Sequence, residues 1–463
     1  MFHNPHTRAT VTTALPACAV EFSPSDARIL AVGTYLLDPN TQTRSGLLQI
    51  YRIVEHRSST ALLSHSLDLH PTVSAATAGI FDVKWDPYHP HRLATAAADG
   101  TVGVWHVEVD ESQGCGGDDD DVDEADADLG GVVTGSGDGA RLTFMGFGRM
   151  RPEAGMATTV DWLPDPSRTR LDQIVDDNNI TTATSTEVVV STSGGYLYRF
   201  GLLPDGSMSC LSSWVAHDLE AWCVAYDRHH PHILYSGGDD AAFRIWDVRA
   251  APRGGQPLQV QSDADQNVVP GDVDASSPRA VATNRRAHLA GVCCIAPSWY
   301  SDRVVATGSY DETVRLWDTR MLSRPVVAAG VGLGGGVWRL KWHPRDGRRL
   351  VAAAMHAGFA TCQVTFDEDD EGSGGGYDTG EEDAWGRHRR EGERKRTWRR
   401  TGGLEVEEVY QEMGEGVLGY GADWQPHGYE GGQVGRSLCA VCSFYDKALH
   451  LWAPARKGDE NEG

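Results

Sequence analysis

Two segments of the chain repeat each other almost position for position. Residues 235–247 read YSGGDDAAFRIWD, and residues 306–318 read ATGSYDETVRLWD. Each pattern predicts a strand, a tight polar turn and a second strand that ends in Trp-Asp. Because strands of this kind can be stable only when their neighbours cover them, the repeat predicts an all-β fold made of stacked, similar units.

Seven such units can be placed along the chain by counting from these two segments. At about 40–45 residues per unit, a seven-bladed WD-repeat β-propeller accounts for most of the chain, and we predict a single propeller over residues 9–453. Residues 9–15 precede the first unit and carry alternating β-branched side chains. We predict that this segment completes the seventh blade and closes the ring, because closure removes exposed sheet edges.

Three segments interrupt the repeats. Residues 108–139, 251–286 and 367–416 are rich in Gly, Asp, Glu or Pro, and we predict that they and the tail 454–463 are disordered. Much of the net charge of -24 falls in the first and third segments, so the folded part is only moderately acidic. This balance argues against a nucleic-acid-binding protein, whose affinity depends on basic side chains that face phosphates.

The cysteines predict neither a disulfide framework nor a metal site. Cys439 and Cys442 have the CxxC spacing but lie in an apolar run that reads as a strand, where residues three apart point to opposite faces. No secretory leader and no run of about 20 apolar residues is visible. We therefore expect a cytoplasmic monomer that requires no metal or cofactor.

Spacing identifies the residues that hold each blade together. In WD-repeat blades a His, a Ser or Thr, an Asp and a Trp can form one hydrogen-bonded chain, with Asp four residues and Trp ten residues after the Ser or Thr. The chain offers this set twice and repeats the last part in blade seven: His217, Ser236, Asp240, Trp246; His288, Thr307, Asp311, Trp317; and Cys442, Asp446, Trp452.

Other residues of the same turns and of the loops leading into the first strands should converge at the mouth of the central channel. They are Glu220, Trp222, Asp239, Tyr310, Glu312, Trp338, Arg339, Met355, His356, Phe444 and Tyr445. Two structural alternatives stay open: Trp222 and Trp338 could be core residues of the inner strands. His356 could be a functional residue or one held by a structural partner, because Gly358 is expected at the position of the structural Asp and the usual hydrogen-bonded chain cannot form there.

Several of these segments together resemble one family. The sequences AHDLEAW at 216–222, GVWRLKWHP at 336–344, MHAGF at 355–359 and CSFYDKALHLW at 442–452 are similar to those of the WD-repeat diphthine methyl ester hydrolases of diphthamide biosynthesis. The similarity is close over residues 214–452, excluding the insertions, and weaker in blades one to three. It implies hydrolysis of the methyl ester of a modified histidine on elongation factor 2, which releases methanol.

The resemblance suggests how the channel mouth could be used. The modified histidine carries a trimethylammonium group, for which the faces of Trp222, Trp338, Tyr310 and Tyr445 are candidates. The carboxylates of Glu220, Asp239 and Glu312 would complement its charge. For ester cleavage we predict His356 as general base, Glu220 or Asp239 as the group that orients it, and Arg339 or Tyr310 as the donor to the oxyanion. A covalent route through Ser309 or Ser443 is the alternative chemistry.

Two other functions compete with the hydrolase. A non-catalytic WD-repeat adaptor would use the same rim to bind a protein. A ubiquitin-ligase substrate receptor would dock through Trp-Asp-x-Arg segments, and the chain has two of them, which end at Arg249 and Arg320. Motifs of other enzyme classes, such as a nucleophile elbow, a zinc-binding helix or a phosphate loop, do not occur in the sequence.

Overall fold

The computed structural model describes most of the propeller and leaves gaps at the insertions. The described residues are 7–57, 65–109, 135–137, 140–164, 175–176, 179–180, 186–203, 206–250, 278–366, 401–410, 417–426 and 437–454. Within these ranges the chain is almost entirely β-strand, with two single-turn 3-10 helices at Pro152–Ala154 and Val248–Ala250. No helix in the described part has the length and apolar character of a membrane span.

Seven antiparallel sheets form the blades, and the prediction of a seven-bladed propeller is confirmed. Strand β1 is Thr7–Thr12, and blade one contains β2 (Ala17–Phe22), β3 (Ile29–Thr34), β4 (Leu36–Leu37), β5 (Arg44–Arg57) and β6 (His65–Ala78). Blade two contains β7 (Ile80–Trp85), β8 (Arg92–Ala97), β9 (Thr101–Val109), β10 (Gly135–Gly137) and β11 (Ala140–Arg149).

Blade three contains β12 (Ala157–Trp162), β15 (Glu187–Thr192), β16 (Tyr196–Leu202) and β17 (Met208–Val215); between its first two strands lies a hairpin of β13 (Val175–Asp176) and β14 (Asn179–Ile180). Blade four contains β18 (Ala221–Tyr226), β19 (Ile233–Gly238), β20 (Phe243–Asp247) and β21 (Ala280–Asn284), and blade five contains β22 (Val292–Pro297), β23 (Val304–Ser309), β24 (Thr313–Asp318) and β25 (Val326–Gly332).

Blade six contains β26 (Arg339–Trp342), β27 (Arg349–Ala353), β28 (Phe359–Phe366) and β29 (Thr401–Tyr410), and blade seven contains β30 (Gly419–Trp424), β31 (Cys439–Ser443) and β32 (Ala448–Trp452). Strand β1 pairs with β32 and becomes the outer strand of blade seven, with Thr7 opposite Trp452 and Thr12 opposite Ala448. The predicted closure by the N-terminal segment is therefore confirmed.

The predicted boundaries of the insertions were too wide. Strand β21 lies inside the predicted insertion 251–286, strand β29 lies inside 367–416, and strand β10 and the end of β9 lie inside 108–139. β21 and β29 are the outer strands of blades four and six, and each pairs with the third strand of its blade. Apart from these strands and residues 278–279 and 285–286, the three insertions lie outside the described residues, as do all but the first residue of the predicted tail.

The hydrogen-bonded chains predicted for blades four and five are present. His217 contacts Asp240 at 2.8 Å and Ser236 at 2.8 Å, and the Trp246 indole N–H donates to Ser236 at 2.9 Å. Blade five repeats the set, with His288 contacting Asp311 at 3.1 Å and Thr307 at 2.7 Å. The hydrogen bonds within each blade therefore explain the positions of these side chains, which have a structural role.

Blade seven does not build the third predicted chain. The indole N–H of Trp452 donates to Glu408 of blade six instead of a group in its own blade. The turn of blade seven is one residue longer, since Cys442 pairs with Leu449, seven positions later, whereas Gly308 pairs with Val314. The spacing of Cys442, Asp446 and Trp452 therefore does not lead to the predicted hydrogen-bonded chain.

The opposite orientation predicted for Cys439 and Cys442 on their strand is confirmed. Cys439 and Cys442 are both buried and free. Cys442 packs in the core between blades seven and one, and Cys439 packs in the core between blades six and seven. The two thiols therefore point to opposite faces of β31.

Ion pairs fill the channel between the inner strands. Arg339 of blade six contacts Asp82 of blade two at 3.3 Å, although these blades are not neighbours in the ring. Two positions further along β26, Lys341 contacts Glu21 at 2.5 Å and Asp423 at 3.7 Å. Below the mouth of the channel, Arg339, Asp82, Lys341, Glu21 and Asp423 therefore form a charged layer, which we call the ionic layer.

Candidate functional site

Aromatic side chains surround the mouth of the channel. In blades two, four and seven the pairing of the first strand shifts at its second residue, which is Phe81, Trp222 or Tyr420. Trp338 directly precedes the first strand of blade six. The extra residue of a β-bulge re-aims its side chain, and these four rings all lie at the mouth.

The rings form one connected series, which we call the aromatic rim. It consists of Tyr35, Phe81, Trp222, Tyr310, Trp338, Tyr420, Phe444 and Tyr445. The ring centroids are separated by 5.6 Å for Trp222–Trp338, 6.0 Å for Tyr310–Trp338, 5.1 Å for Trp338–Tyr420, 5.3 Å for Tyr420–Phe444, 5.3 Å for Phe444–Tyr445, 6.0 Å for Tyr35–Phe444 and 5.1 Å for Tyr35–Phe81.

The rim is accessible to a ligand. Tyr310 is 39% exposed and Tyr445 is 67% exposed, and the other six side chains are half-buried. The structure thus brings together four of the five residues predicted to bind substrate: Trp222, Tyr310, Trp338 and Tyr445. It also answers the alternative left open for Trp222 and Trp338, because neither ring is fully enclosed in the core.

Asp239 fixes the orientation of Trp222. The indole N–H of Trp222 donates to Oδ1 of Asp239 at 3.3 Å, and the carboxylate is exposed on the turn that precedes β20. Glu220 lies two residues before Trp222, is half-buried, and its carbonyl accepts the Asp239 N–H at 2.8 Å. Two carboxylates therefore belong to the blade-four side of the rim.

Burial keeps two rim tyrosines, Tyr310 and Tyr420, in the neutral form. It raises the pKa of Tyr310, with smaller contributions from Cys293, Tyr420 and Asp239, and it raises the pKa of Tyr420 to about 12. Both phenols therefore retain their protons at neutral pH and can act as hydrogen-bond donors.

Arg339 is not placed as predicted. Its side chain is buried, with one guanidinium nitrogen 3.3 Å from Asp82 and another donating to the carbonyl of Phe81 at 3.2 Å. Despite its burial, the neighbouring Asp82 raises the pKa of Arg339. The guanidinium lies beneath the rim as part of the channel layer, so the predicted role as oxyanion donor is wrong.

The turn of blade six also differs from the prediction. The last paired residues of the second and third strands in blades four, five and six are Gly237–Phe243, Gly308–Val314 and Ala353–Phe359. Counted from these pairs, His356 and not Gly358 occupies the position of the structural Asp311. Met355 occupies the position of Tyr310 and is buried. His356 is exposed on this turn, two blades away from Glu220 and Asp239.

A glycine packs against the turn that carries His356. A Cβ atom on Gly335 would lie 2.2 Å from the carbonyl oxygen of Ala354 and 2.9 Å from the backbone nitrogen of Ala357. Only glycine fits this contact without a shift of backbone. The glycine-rich loop before β26 therefore supports the turn.

The two serines considered as nucleophiles are both buried, and the hydroxyl of each takes part in hydrogen bonds with the backbone. Ser309 Oγ donates to the carbonyl of Ala290 at 3.0 Å and accepts the N–H of Asp311 at 3.0 Å. Ser443 Oγ accepts the N–H of Leu418 at 3.0 Å. Both hydroxyls serve the turns that support the rim, which leaves the covalent alternative without support.

Glu312 is the predicted ligand residue that the structure does not bring into the rim series. It is exposed in a left-handed conformation (φ 64°), and its carbonyl accepts the N–H of Leu333. It lies two residues after Tyr310 in the same turn. Its position allows a long-range charge contribution and no ring contact.

Sequence reasoning missed Phe81 and Tyr35 and did not assign a role to Tyr420. A signal for two of them existed, because Phe81 and Tyr420 occupy the same position in the first strand as Trp222. The repeat of blade two is degenerate, which hid the equivalence for Phe81. Tyr35 directly follows the second strand of blade one and reaches the rim only through folding.

Comparison with known proteins gives a repeat assignment and a set of relatives. The family model described as "WD domain, G-beta repeat" matches residues 65–106, 208–247 and 280–318. The chain is 41% identical over 160 residues to the human protein named diphthine methyltransferase, which is 34% of this chain and 29% of the human protein.

Two further relatives carry the same name. The mouse protein is 29% identical over 378 residues, which cover 77% of this chain and 64% of the mouse protein. The Schizosaccharomyces pombe protein is 24% identical over 447 residues, which cover 96% of this chain and 97% of that protein. The matched region thus spans less than two thirds of the human and mouse proteins and nearly all of the yeast protein.

Proposed function

We propose that this chain is a member of the WD-repeat family of diphthamide biosynthesis whose curated relatives are named diphthine methyltransferase, and that it hydrolyses the methyl ester of diphthine on elongation factor 2. In this reaction the oxygen of water bonds to the ester carbonyl carbon and the bond to the methoxy group breaks. The methoxy group leaves with a proton as methanol, and the protein keeps a carboxylic acid. The observation that carries the proposal is the aromatic rim with two carboxylates at one side.

The rim suits the quaternary ammonium group of the modified histidine. The rings of Trp222 and Trp338 lie 5.6 Å apart with their planes tilted by 59°, and Tyr310 adds a third ring 6.0 Å from Trp338. Each face can stabilise a cation by about 0.5–2 kcal/mol. The carboxylates of Asp239 and Glu220 favour a positive charge at the same place.

Tyr310 and Tyr420 are the proposed donors to the developing oxyanion. Both are neutral phenols because burial raises the pKa of each. They flank Trp338, since the centroids of Tyr310 and Tyr420 lie 6.0 Å and 5.1 Å from its ring. A donor aimed at the site of the new negative charge lowers the barrier to ester cleavage.

His356 remains the proposed general base. An imidazole is the usual base for water at neutral pH, and this ring is exposed on the turn next to the glycine-rich loop that leads to Trp338. His356→Gln should lower kcat with little change in KM, while Asp239→Asn should raise KM. If His356→Gln keeps the wild-type kcat, the base is another group.

The experiment that tests the proposal is a mass measurement on the intact substrate. Purified protein is incubated with methyl-esterified elongation factor 2, with and without added S-adenosylmethionine. Hydrolysis predicts the loss of one CH2 unit that does not depend on the added methyl donor. A gain of CH2 units that requires the donor would instead support methyl transfer, the activity in the relatives' names, and would refute the hydrolase proposal.

A role as an adaptor is a second candidate because of two exposed arginines. Arg249 and Arg320 each pair with the Asp two residues earlier, and their side chains are 64% and 45% exposed. Both follow the end of a third strand, which lies on the face opposite the rim. Retained binding of elongation factor 2 without any mass change would favour the adaptor.

A further inference from the structure

The rim contains more aromatic surface than one ammonium group requires. Tyr35, Phe81, Tyr420 and Phe444 form a group of four half-buried rings on blades seven, one and two, with neighbouring centroids 5.1–6.0 Å apart. In the described part of the chain, the ring contact between Trp338 and Tyr420 connects this group to Trp222 and Tyr310. The rim therefore has two halves that meet at that contact.

The two halves differ in charge. The half with Trp222 carries the carboxylate of Asp239, which binds the indole N–H, and that of Glu220. In the other half the Nε of Arg44 donates to the hydroxyl of Tyr35 at 3.2 Å. The guanidinium of Arg339 bonds to the carbonyl of Phe81 from below, where Asp82 balances its charge.

These charges decide which chemical group each half prefers. A quaternary ammonium group is attracted by carboxylates and repelled by guanidinium groups. A neutral aromatic ring carries no net charge and gains from offset or edge contacts with other rings. The half with Tyr35 is therefore suited to a flat, uncharged ring and poorly suited to a cation.

We propose that Tyr35, Phe81, Tyr420 and Phe444 form a ring-binding subsite for the imidazole of the substrate histidine, while Trp222, Tyr310 and Trp338 hold its trimethylammonium group. This inference rests on the proposed function for the identity of the substrate. The side chain carries both groups on one connected framework, so binding at two adjoining subsites restricts the positions that the ester next to the ammonium group can take. The reacting carbonyl then lies near Trp338, flanked by the phenols of Tyr310 and Tyr420.

Two small probes without an ester test the division. Tetramethylammonium represents the cation, and 4-methylimidazole, used at a pH where it is uncharged, represents the ring. Binding is followed by NMR through the indole N–H signals of Trp222 and Trp338 and through labelled phenylalanine and tyrosine rings. Because neither probe is a substrate, the outcome does not depend on whether the protein hydrolyses an ester.

Reciprocal variants supply the matched controls. Phe81→Leu and Tyr35→Leu should each weaken 4-methylimidazole binding about fivefold and leave tetramethylammonium binding within about twofold. Trp222→Leu should do the reverse. All three side chains are half-buried, and an unchanged thermal transition confirms that each variant folds. If both probes weaken equally in the Phe81 and Trp222 variants, or if the imidazole perturbs only the indole signals, the rim is a single site and the proposal fails.

Discussion

The aromatic rim and the ionic layer beneath it are built from neighbouring residues of the same strands. Trp338 is half-buried at the mouth, whereas Arg339 is buried and paired across the channel with Asp82. Phe81 and Asp82 repeat the arrangement in blade two. The turns show it too, since Tyr310 belongs to the rim and Asp311 binds the structural His288. A step of one residue separates the surface that can bind a ligand from the groups that hold the ring together.

This contrast predicts that ionic-layer substitutions change stability most and that rim substitutions change ligand binding most. Both sets lie within a few ångströms of the same channel. Their effects should nevertheless separate, because an unpaired buried charge is costly and a truncated exposed ring is not.

The largest effect is expected for Asp82→Ala. The change leaves the guanidinium of Arg339 buried without its carboxylate and should lower the free energy of unfolding by about 3–5 kcal/mol. Urea denaturation measures this loss. The double variant Asp82→Ala/Arg339→Met removes both charges and should recover part of it; a double variant no more stable than the single one would contradict the ion-pair account.

A smaller loss of stability is expected for Asp311→Ala. Asp311 contacts His288 and accepts the N–H of Leu289 at 2.9 Å, so its removal should cost about 2–3 kcal/mol. Tyr310→Leu, one residue earlier, is the matched control and should stay within about 1 kcal/mol of wild type. Urea denaturation measures both losses. Equal destabilisation by the two variants would show that the rim residue Tyr310 contributes as much to stability as the structural residue Asp311.

The free energy of unfolding should decrease at acidic pH because of the buried His288 of blade five. Burial lowers the pKa of His288 to about 4, below the value of about 6.5 in the unfolded chain. The unfolded state therefore binds more protons between these values, and stability is fully present above pH 6.5 and declines as the pH falls. The stability advantage of wild type over His288→Gln should narrow from about pH 6.5 to about 4. A constant difference across this window would show that His288 titrates normally.

The smallest effects are expected at Tyr445, which is 67% exposed at the end of the rim. Tyr445→Ala should change the free energy of unfolding by less than about 0.5 kcal/mol. It should weaken tetramethylammonium binding about twofold, compared with about fivefold for Trp222→Leu. A stronger effect at Tyr445 than at Trp222 would move the cation site towards blade seven.

The sequence predicted the parts of the fold that depend on local spacing. The His, Ser or Thr, Asp and Trp sets of blades four and five were predicted because the blade imposes their separation. Trp222, Tyr310 and Trp338 were found by excluding those sets. Strands β21 and β29 were missed because they follow segments of biased composition, and pairing with the third strand rather than local propensity defines them.

The errors at the site have a common physical origin. The sequence does not show that Arg339 faces a carboxylate four blades away in chain order, because only ring closure brings β26 opposite β7. His356 was misplaced by two positions because the turn of blade six differs, with Met355 in a left-handed conformation (φ 43°). Contacts across the channel and turn geometry are both determined by the closed ring.

We propose that the aromatic rim, and not the ionic layer beneath it, recognises the esterified substrate. This recognition is tested most directly by the rate of methanol release from methyl-esterified elongation factor 2 by wild type and by the double variant Trp222→Leu/Trp338→Leu. We expect kcat/KM of the double variant to fall at least about tenfold, mainly because KM rises, and its thermal unfolding transition to stay unchanged. An unchanged kcat/KM in a folded double variant would contradict it.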